Sequence, residues 1–309
     1  MRIPFTSYYI GKKASADGSG HWSTDIGGRQ TTSGEVVTLD TSMKLATVFA
    51  CMSYISEDIA KLPFIQYRTV KDGKERVGGP VQDLLKHQPN PDMTAMSFRQ
   101  ALTASAMGRG NGYAEIVKDT GGNVVELWPL ATPKVTPKRD DNKRLYYEVR
   151  DDHGGYITLP AEKVLHIPGF GFDGLSGVSV VKYAKENFGR YLAMEKFGAA
   201  FFGNGANPGG SIEHPATLSE PAQKRLLKSI ERRHAGAGKS HKTLILEEGM
   251  KFNPWTIPPE ESQFIETSQL SIPDICRWFR MKPHKVADLS RATFSNIEQQ
   301  NIEYVVDTL

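Results

Sequence analysis

Gly236-Ala237-Gly238-Lys239-Ser240 is the segment of this chain that comes nearest to catalytic chemistry. A phosphate-cradling loop needs Gly-x-x-x-x-Gly-Lys-Ser/Thr, because its first glycine lets the backbone wrap the anion. Here Arg233 holds that position, and the segment follows a helical pattern where such a loop follows a strand. The competing reading is a basic surface turn. Gly174-Leu175-Ser176-Gly177-Val178 comes near a nucleophile elbow, but Val178 stands where Gly-x-Ser-x-Gly needs its second glycine. A tight turn, with Ser176 or Ser179 at the start of a helix, accounts for it better. None of the eight histidines forms His-Glu-x-x-His, and no Cys/His spacing fits zinc. His166 lies on an apolar run and reads as a satisfied, partly buried side chain. The residues thus assemble no acid, base and nucleophile, and call for no cofactor or metal.

Charge is the other chemistry available. Lys+Arg number 38 against 35 Asp+Glu, so the net +3 gives no general pull toward nucleic acid or membranes. One cluster departs from that balance. Between Ser219 and Leu246, Lys224, Arg225, Lys228, Arg232, Arg233, Lys239 and Lys242 face only Glu220 and Glu231. Such a cluster can track phosphates, meet an acidic protein surface or simply form a solvated helix face. No aromatics interleave with it as a single-strand platform would require.

The elements that must position these groups follow from periodicity. Residues 1–40 are rich in Gly, Ser and Thr and read as a flexible arm. Ser42 is a plausible cap for a helix carrying Leu45, Val48, Met52, Ile55 and Ile59 on one face, stopped by Pro63. A short strand in residues 63–70, a turn at 71–74 and a helix over 80–86 come next, with Gln88-Pro89-Asn90-Pro91 as breaker. Thr94 caps a helix ending at Gly108–Gly110, after which strands are expected at 113–118, 124–129, 144–150, 156–160 and 164–167. A long helical pattern then runs from Val180 to Phe201 and stops at Gly203-Asn204-Gly205. A compact insert, 206–257, holds a strand near 211–213, a helix capped by Ser219, and strands near 243–247 and 251–257. A second long helix covers Phe264–Met281, and a last one from Asn296 meets the chain end without a stop signal, as a truncated element would.

Cys51 and Cys276 lie in apolar helical patterns and are expected as buried, reduced thiols. With no run of about 18 apolar residues and no apolar leader-like core near the N-terminus, neither secretion nor membrane spanning is expected.

In order, these pieces resemble the portal, or head–tail connector, family of long-tailed double-stranded DNA phages. The matching segments are Val48–Pro63, Leu84–Met96, Gly110-Asn111-Gly112-Tyr113, Leu127-Trp128-Pro129-Leu130, Val164–Pro168 and Asp173–Ser179. Phe202–Gly210, Ile275–Pro283 and Phe294–Gln300 continue the match, so it is collinear from about residue 35 to the end. The resemblance implies an α+β portal fold: an α/β wing, two long stem helices and a small α/β clip insert. On this plan residues 1–40 are the arm, 41–177 the wing, 178–205 the first stem helix and 206–257 the clip. Residues 258–281 are the second stem helix, 282–294 a tunnel loop, and 295–309 the start of a wing helix cut before a crown.

It further implies a closed ring, usually of twelve copies, at one capsid vertex of the virion, assembled in the host cytoplasm. Double-stranded DNA passes through it non-specifically during packaging and ejection. Expected partners are the terminase large subunit, a head–tail adaptor and a capsid or scaffold protein, with no membrane. Candidate channel residues are Lys182, Lys185, Arg190, Lys285, Arg291 and Asn296, and the seven cations of the insert are candidate docking residues. Mixed charge along the first stem helix, with Glu186, Glu195 and Lys196 among the cations, suits a bore that must release its duplex.

Two other readings stay open: a nucleotide-dependent enzyme using residues 236–240, and a different virion protein such as an adaptor. The failed loop spacing predicts that a labelled ATP analogue shows no saturable binding to the purified protein. Saturable binding that disappears in Lys239→Ala would establish the enzyme reading instead.

Overall fold

The structure, a computed structural model, describes residues 30–151, 154–203, 210–215, 217, 219–225, 228, 249–254, 271–289 and 294–309. Two compact units divide the chain: Met1–Gly189 with Ile272–Leu309, and Arg190–Ser271.

The first unit begins where looseness was expected. Gln30 bridges to Val36, Thr31 and Val37 are buried, and the Thr32 amide donates to the Glu186 carboxylate at 3.0 Å. Residues 30–40 are therefore built into the unit, because their small hydroxyl side chains close a tight turn upon themselves: the Thr31 hydroxyl donates to the Glu35 carbonyl at 2.9 Å. Residues 1–29 lie outside the described residues. The cap expected at Ser42 also moves. Thr38 caps α1 (Leu39–Ser42) through a capping box with Thr41. Ser42 ends that turn, its hydroxyl bonded to the Thr38 carbonyl at 2.7 Å, and α2 (Ala46–Lys61) starts after Leu45 without a side-chain cap.

Val48, Cys51, Met52 and Ile55 form the buried face of α2, as their spacing requires. The hairpin of β1 (Tyr67–Val70) and β2 (Gly73–Arg76) follows, then α3 (Pro80–Lys86). Thr94 caps α4 (Ala95–Arg109) by accepting the Ser97 amide at 3.2 Å. Arg99, on α4, donates from Nε to the Ala60 carbonyl at 3.2 Å and from Nη1 to the Leu85 carbonyl at 2.5 Å. One guanidinium thus satisfies carbonyls at the ends of α2 and α3.

Six strands come next: β3 (Asn111–Lys118), β4 (Val124–Leu130), β5 (Val135–Arg139), β6 (Leu145–Arg150), β7 (Tyr156–Pro160) and β8 (Val164–Pro168). They form two antiparallel three-stranded sheets, β4-β3-β8 and β5-β6-β7. Strand β5 was not foreseen, since no strand was expected between residues 129 and 144. It is an edge strand, where a residue without an N–H is tolerated. The two-residue alternation of β3 divides the core. Tyr113 packs with Leu130, Val135, Tyr147, Val149, Leu159 and Val164, whereas Ala114 packs with Phe98, Leu102 and Leu127.

The long helical pattern is observed in two pieces, α5 (Val180–Tyr183) and α6 (Lys185–Gly203), interrupted at Ala184 (ψ 4°). Ser179 caps α5, accepting the Lys182 amide at 3.1 Å. Residues 271–278 are helical, a one-turn 3₁₀ segment spans Pro283–Val286, and α7 (Phe294–Asp307) ends the chain. Cys276 lies beside Cys51, and both are free, buried thiols.

In the second unit, β9 (Gly210–Glu213) pairs antiparallel with β10 (Lys251–Pro254). Residues 220–225 are helical, with Pro221 in the first turn and the Ser219 carbonyl accepting the Ala222 and Gln223 amides. The expected strand at 243–247 and the 236–240 loop lie outside the described residues, as does most of the expected second stem helix, 258–270.

Backbones pass very close to one another at Gly110, Gly169 and Gly177. Gly110 closes α4 in the left-handed conformation (φ 89°), and its carbonyl accepts the Gly169 amide at 2.8 Å. A Cβ on Gly177 would enter the Gly110 carbonyl oxygen and meet the Gly169 nitrogen at 2.5 Å. Both neighbours are backbone and cannot step aside. Gly177→Ala is therefore expected to cost about 1–3 kcal/mol in thermal unfolding. Gly78→Ala, whose Cβ meets nothing within 4 Å, should stay within about 0.5 kcal/mol of the parent.

Candidate functional site

Asn111 stands first in β3, beside the last residues of β8, with the 169–179 loop folded over both. Its Nδ2 donates to the Gly177 carbonyl at 3.1 Å, and its Oδ1 accepts the Gly177 amide at 2.9 Å. One side-chain amide thereby pairs with both polar groups of one backbone residue. Oδ1 also lies 2.9 Å from His166 Nε2. Since an amide oxygen only accepts, the imidazole carries its proton on Nε2. His166 Nδ1 then accepts from the Tyr147 hydroxyl at 3.1 Å. The ring stacks on Tyr113, its cross-strand partner, with centroids 4.4 Å apart. Burial holds its pKa below the usual histidine range, favouring the neutral form that this network uses.

The loop is pinned at two further places. The Ser179 hydroxyl donates to the Gly108 carbonyl at 2.6 Å. Asp173 Oδ1 accepts the Leu175 and Ser176 amides at 2.9 and 2.7 Å, bonds that keep its carboxyl below the usual range. Ser176, the would-be nucleophile, thus belongs to a carboxylate-closed turn. His166, the nearest base to this loop, has both nitrogens engaged. Glu115 is buried, its Oε2 lacks a hydrogen-bond partner among the described residues, and burial raises its pKa, while Lys163 opposes that shift. The arrangement is built to hold a backbone, and every strong bond in it ends on a loop carbonyl, amide or aromatic ring.

Beside the clamp runs a groove of about 850 Å³. Asn111 and Tyr113 reach it from β3, Thr132 and Thr136 from the β5 side, and Ser176, Ser179, Lys182 and Lys185 from the loop and the helices it launches. Arg109 completes it, and no carboxylate is among the described residues of its lining. Two of the expected channel residues, Lys182 and Lys185, are thus brought together with a third cation that sequence reasoning missed. Arg109 carried no signal beyond being a basic residue in the last turn of a helix. Arg190 is placed elsewhere: it falls in the second unit, exposed, with its guanidinium 5.1 Å from the centroid of the Tyr191 ring.

Lys285 rests against α7 of its own chain. Its ammonium lies 4.8 Å over the Tyr304 ring. The Tyr304 hydroxyl donates to Asp58 Oδ2 at 3.0 Å, which ties α7 to α2. Next to it, Lys282 pairs with Glu303 at 2.6 Å, and His284 Nε2 meets Asn301 Oδ1 at 3.0 Å. Residues 282–286 are therefore anchored to α7 by three side-chain contacts. Arg291 and the side chain of Asn296 lie outside the described residues.

Of the basic cluster in the insert, Lys224 pairs with Glu220 at 2.5 Å, both largely exposed. Such a surface pair contributes little to stability. Arg225 donates to the Pro221 carbonyl at 3.3 Å, and Lys228 is exposed. Arg232, Arg233, Lys239 and Lys242 lie outside the described residues.

Comparison with known proteins gives this arrangement its family. The family model for "Phage portal protein" matches residues 46–309. The chain is 30% identical over 272 residues to the portal protein of Enterobacteria phage HK97, covering 86% of this chain and 64% of that one. It is 32% identical over 291 residues to the probable portal protein of Streptomyces phage phiC31, covering 90% and 63%. The chain thus spans just under two thirds of the length of these curated relatives. Two solved structures share the fold. An HK97-family phage portal protein from Corynebacterium diphtheriae superposes with a TM-score of 0.64 at 16% identity, over 89% of this chain and 87% of the other. A chain from the virion of a native gene transfer agent particle gives 0.61 at 22%, over 88% and 76%. The fold is α+β, as the sequence led us to expect, and the chain belongs to the phage portal protein family.

Proposed function

We propose that this chain assembles with copies of itself into a closed ring of twelve at one capsid vertex, the channel through which double-stranded DNA is packaged and ejected. The observation that carries the reading is the family match over residues 46–309. A chain in the neck of the gene transfer agent particle, treated with C12 symmetry, has the same fold with a TM-score of 0.60, which supports the copy number. The protein works as a conduit and docking surface, is not an enzyme and needs no cofactor. The terminase large subunit hydrolyses ATP, a head–tail adaptor extends the passage, and a capsid or scaffold protein holds the rim. Assembly takes place in the host cytoplasm, and the ring then resides in the virion.

On this reading residues 41–177 are the wing, 178–205 and 258–281 the stem helices, 206–257 the clip and 282–294 the tunnel loop. Lys182, Lys185, Arg190, Lys285, Arg291 and Asn296 supply the channel's contacts. The contacts must be sparse, since each neutralised phosphate adds to a salt-dependent hold on a duplex that has to move. The mixed charges of Lys182, Lys185, Glu186 and Arg190 along α5 and α6 suit such a weak grip. The exposed cations Lys224, Arg225 and Lys228, with Arg232, Arg233, Lys239 and Lys242 next in sequence, suit docking to an acidic surface.

Electron microscopy of the purified protein, and of a version extended to the length of its curated relatives, is expected to show closed rings end-on. Monomers alone in both preparations across the accessible concentration range would overturn the reading. For the clip, the double substitution Arg232→Glu and Arg233→Glu is expected to weaken terminase binding about tenfold or more, a loss of about 1.4 kcal/mol, while rings still form. Unchanged terminase affinity would remove the basic cluster from the docking surface.

A further inference from the structure

Among the described residues of the first unit, one aromatic surface stands exposed. Phe170 and Phe172, in the loop after β8, are 74% and 76% exposed, and their rings meet edge to face at 5.4 Å. Tyr183 on α5 is 55% exposed, Trp278 40%, Phe64 38% and Ile167 37%. These six side chains line one cleft of about 740 Å³, and among the described residues its charged lining is Arg99 and Arg280. Arg99 is already spent on the carbonyls of Ala60 and Leu85.

The exposed fractions amount to roughly 480–800 Å² of largely apolar surface, taking about 150–250 Å² for each large side chain. That overlaps the upper part of the range for the largest patch on an ordinary monomer, about 300–600 Å², and extends past it. It also approaches the roughly 800 Å² that each partner contributes to a stable protein–protein interface. Aromatic enrichment with few charges at the centre is the composition of an interface core. A nucleic acid would need cations along the cleft, and a lipid surface would need a basic face around the apolar one. Neither matches two arginines of which one is engaged.

We infer that this cleft is a contact face between neighbouring copies of the chain, receiving an apolar surface of the next subunit. The inference rests on the ring reading above and deepens it. A closed ring has heterologous contacts, so every copy must bury two different faces, and a permanently assembled neighbour is the occupant that would keep so much aromatic surface dry. The loop that bears Phe170 and Phe172 is held by the Asn111–Gly177 clamp and by the Val178 amide bonded to the Phe170 carbonyl at 2.7 Å. The aromatic pair is therefore presented by ordered backbone, which lowers the entropy lost on contact.

The test uses the ring-forming protein. The double substitution Phe170→Asp with Phe172→Asp is expected to lower the assembled fraction at least tenfold by native mass spectrometry, with the monomer's thermal unfolding unchanged. Tyr156→Asp, at another exposed aromatic (67%) outside the cleft, should assemble like the parent. A photo-activatable phenylalanine analogue at position 172 should link two copies of the chain and return a peptide from the neighbour. If the parent forms rings and the Phe170/Phe172 variant forms them equally well, the inference falls and the portal reading stands. Cross-links confined to one chain, or made only to a different protein, would also overturn it. If the parent forms neither rings nor cross-linked pairs, the ring reading itself fails.

Discussion

The close approach of the Gly177 backbone to Gly110 and Asn111 is the constraint on which the rest of the first unit depends. Four elements converge there: the end of α4, the start of β3, the end of β8 and the loop that launches α5. Backbone polar groups can be buried only where they are paired. At this junction the pairing comes from a single side-chain amide and from glycines that let carbonyl and amide meet at hydrogen-bond distance. Any Cβ at Gly177 would stand in the Gly110 carbonyl, so the position is defined by an absent atom. His166 and Tyr147 complete the network from two different sheets, and neutral imidazole is the form that lets both ring nitrogens serve.

That junction also determines where the unit's charges point. Lys182 and Lys185 follow the Ser179 cap, and their position in the groove beside Arg109 is a consequence of how the 169–179 loop is held. Lys285 shows the opposite fate, resting on Tyr304 next to two further contacts that anchor residues 282–286 to α7. Near-neutral net charge is thus compatible with local cationic surface. No carboxylate is among the described residues that line the groove; of the acids nearby, Glu186 bonds the Thr32 amide and pairs with the Lys185 ammonium at 3.9 Å, and Asp173 bonds its own turn.

Much of the architecture was legible from periodicity and caps. The buried face of α2, the span of α3, the Thr94 cap and five of the six strands of the two sheets follow from spacing and turn residues, which are local properties. Three misreadings share a cause. Ser42 was taken as a cap, residues 30–40 as loose and residues 130–143 as holding no strand, each from local residue types alone. In the structure Ser42 bonds back to Thr38, Thr31 and Val37 are buried against the unit, and Pro137 sits on an edge strand. Composition reports what a segment tends to do in isolation, and tertiary neighbours outweigh it wherever burial offers more than local preference costs.

By itself the sequence determined the α+β class, the order of the main helices and strands, the failure of each catalytic motif and the family, because all of these depend on residue type and on spacing along the chain. Only the tertiary structure decided that Asn111 grips Gly177, that Arg109 joins Lys182 and Lys185, that Cys51 touches Cys276, and that Phe170 and Phe172 stand uncovered. Asn111 and Gly177 lie 66 positions apart, and pairs so distant leave no periodic trace. Their contact exists because burying a backbone carbonyl and amide without partners would cost more than the entropy of closing the chain between them.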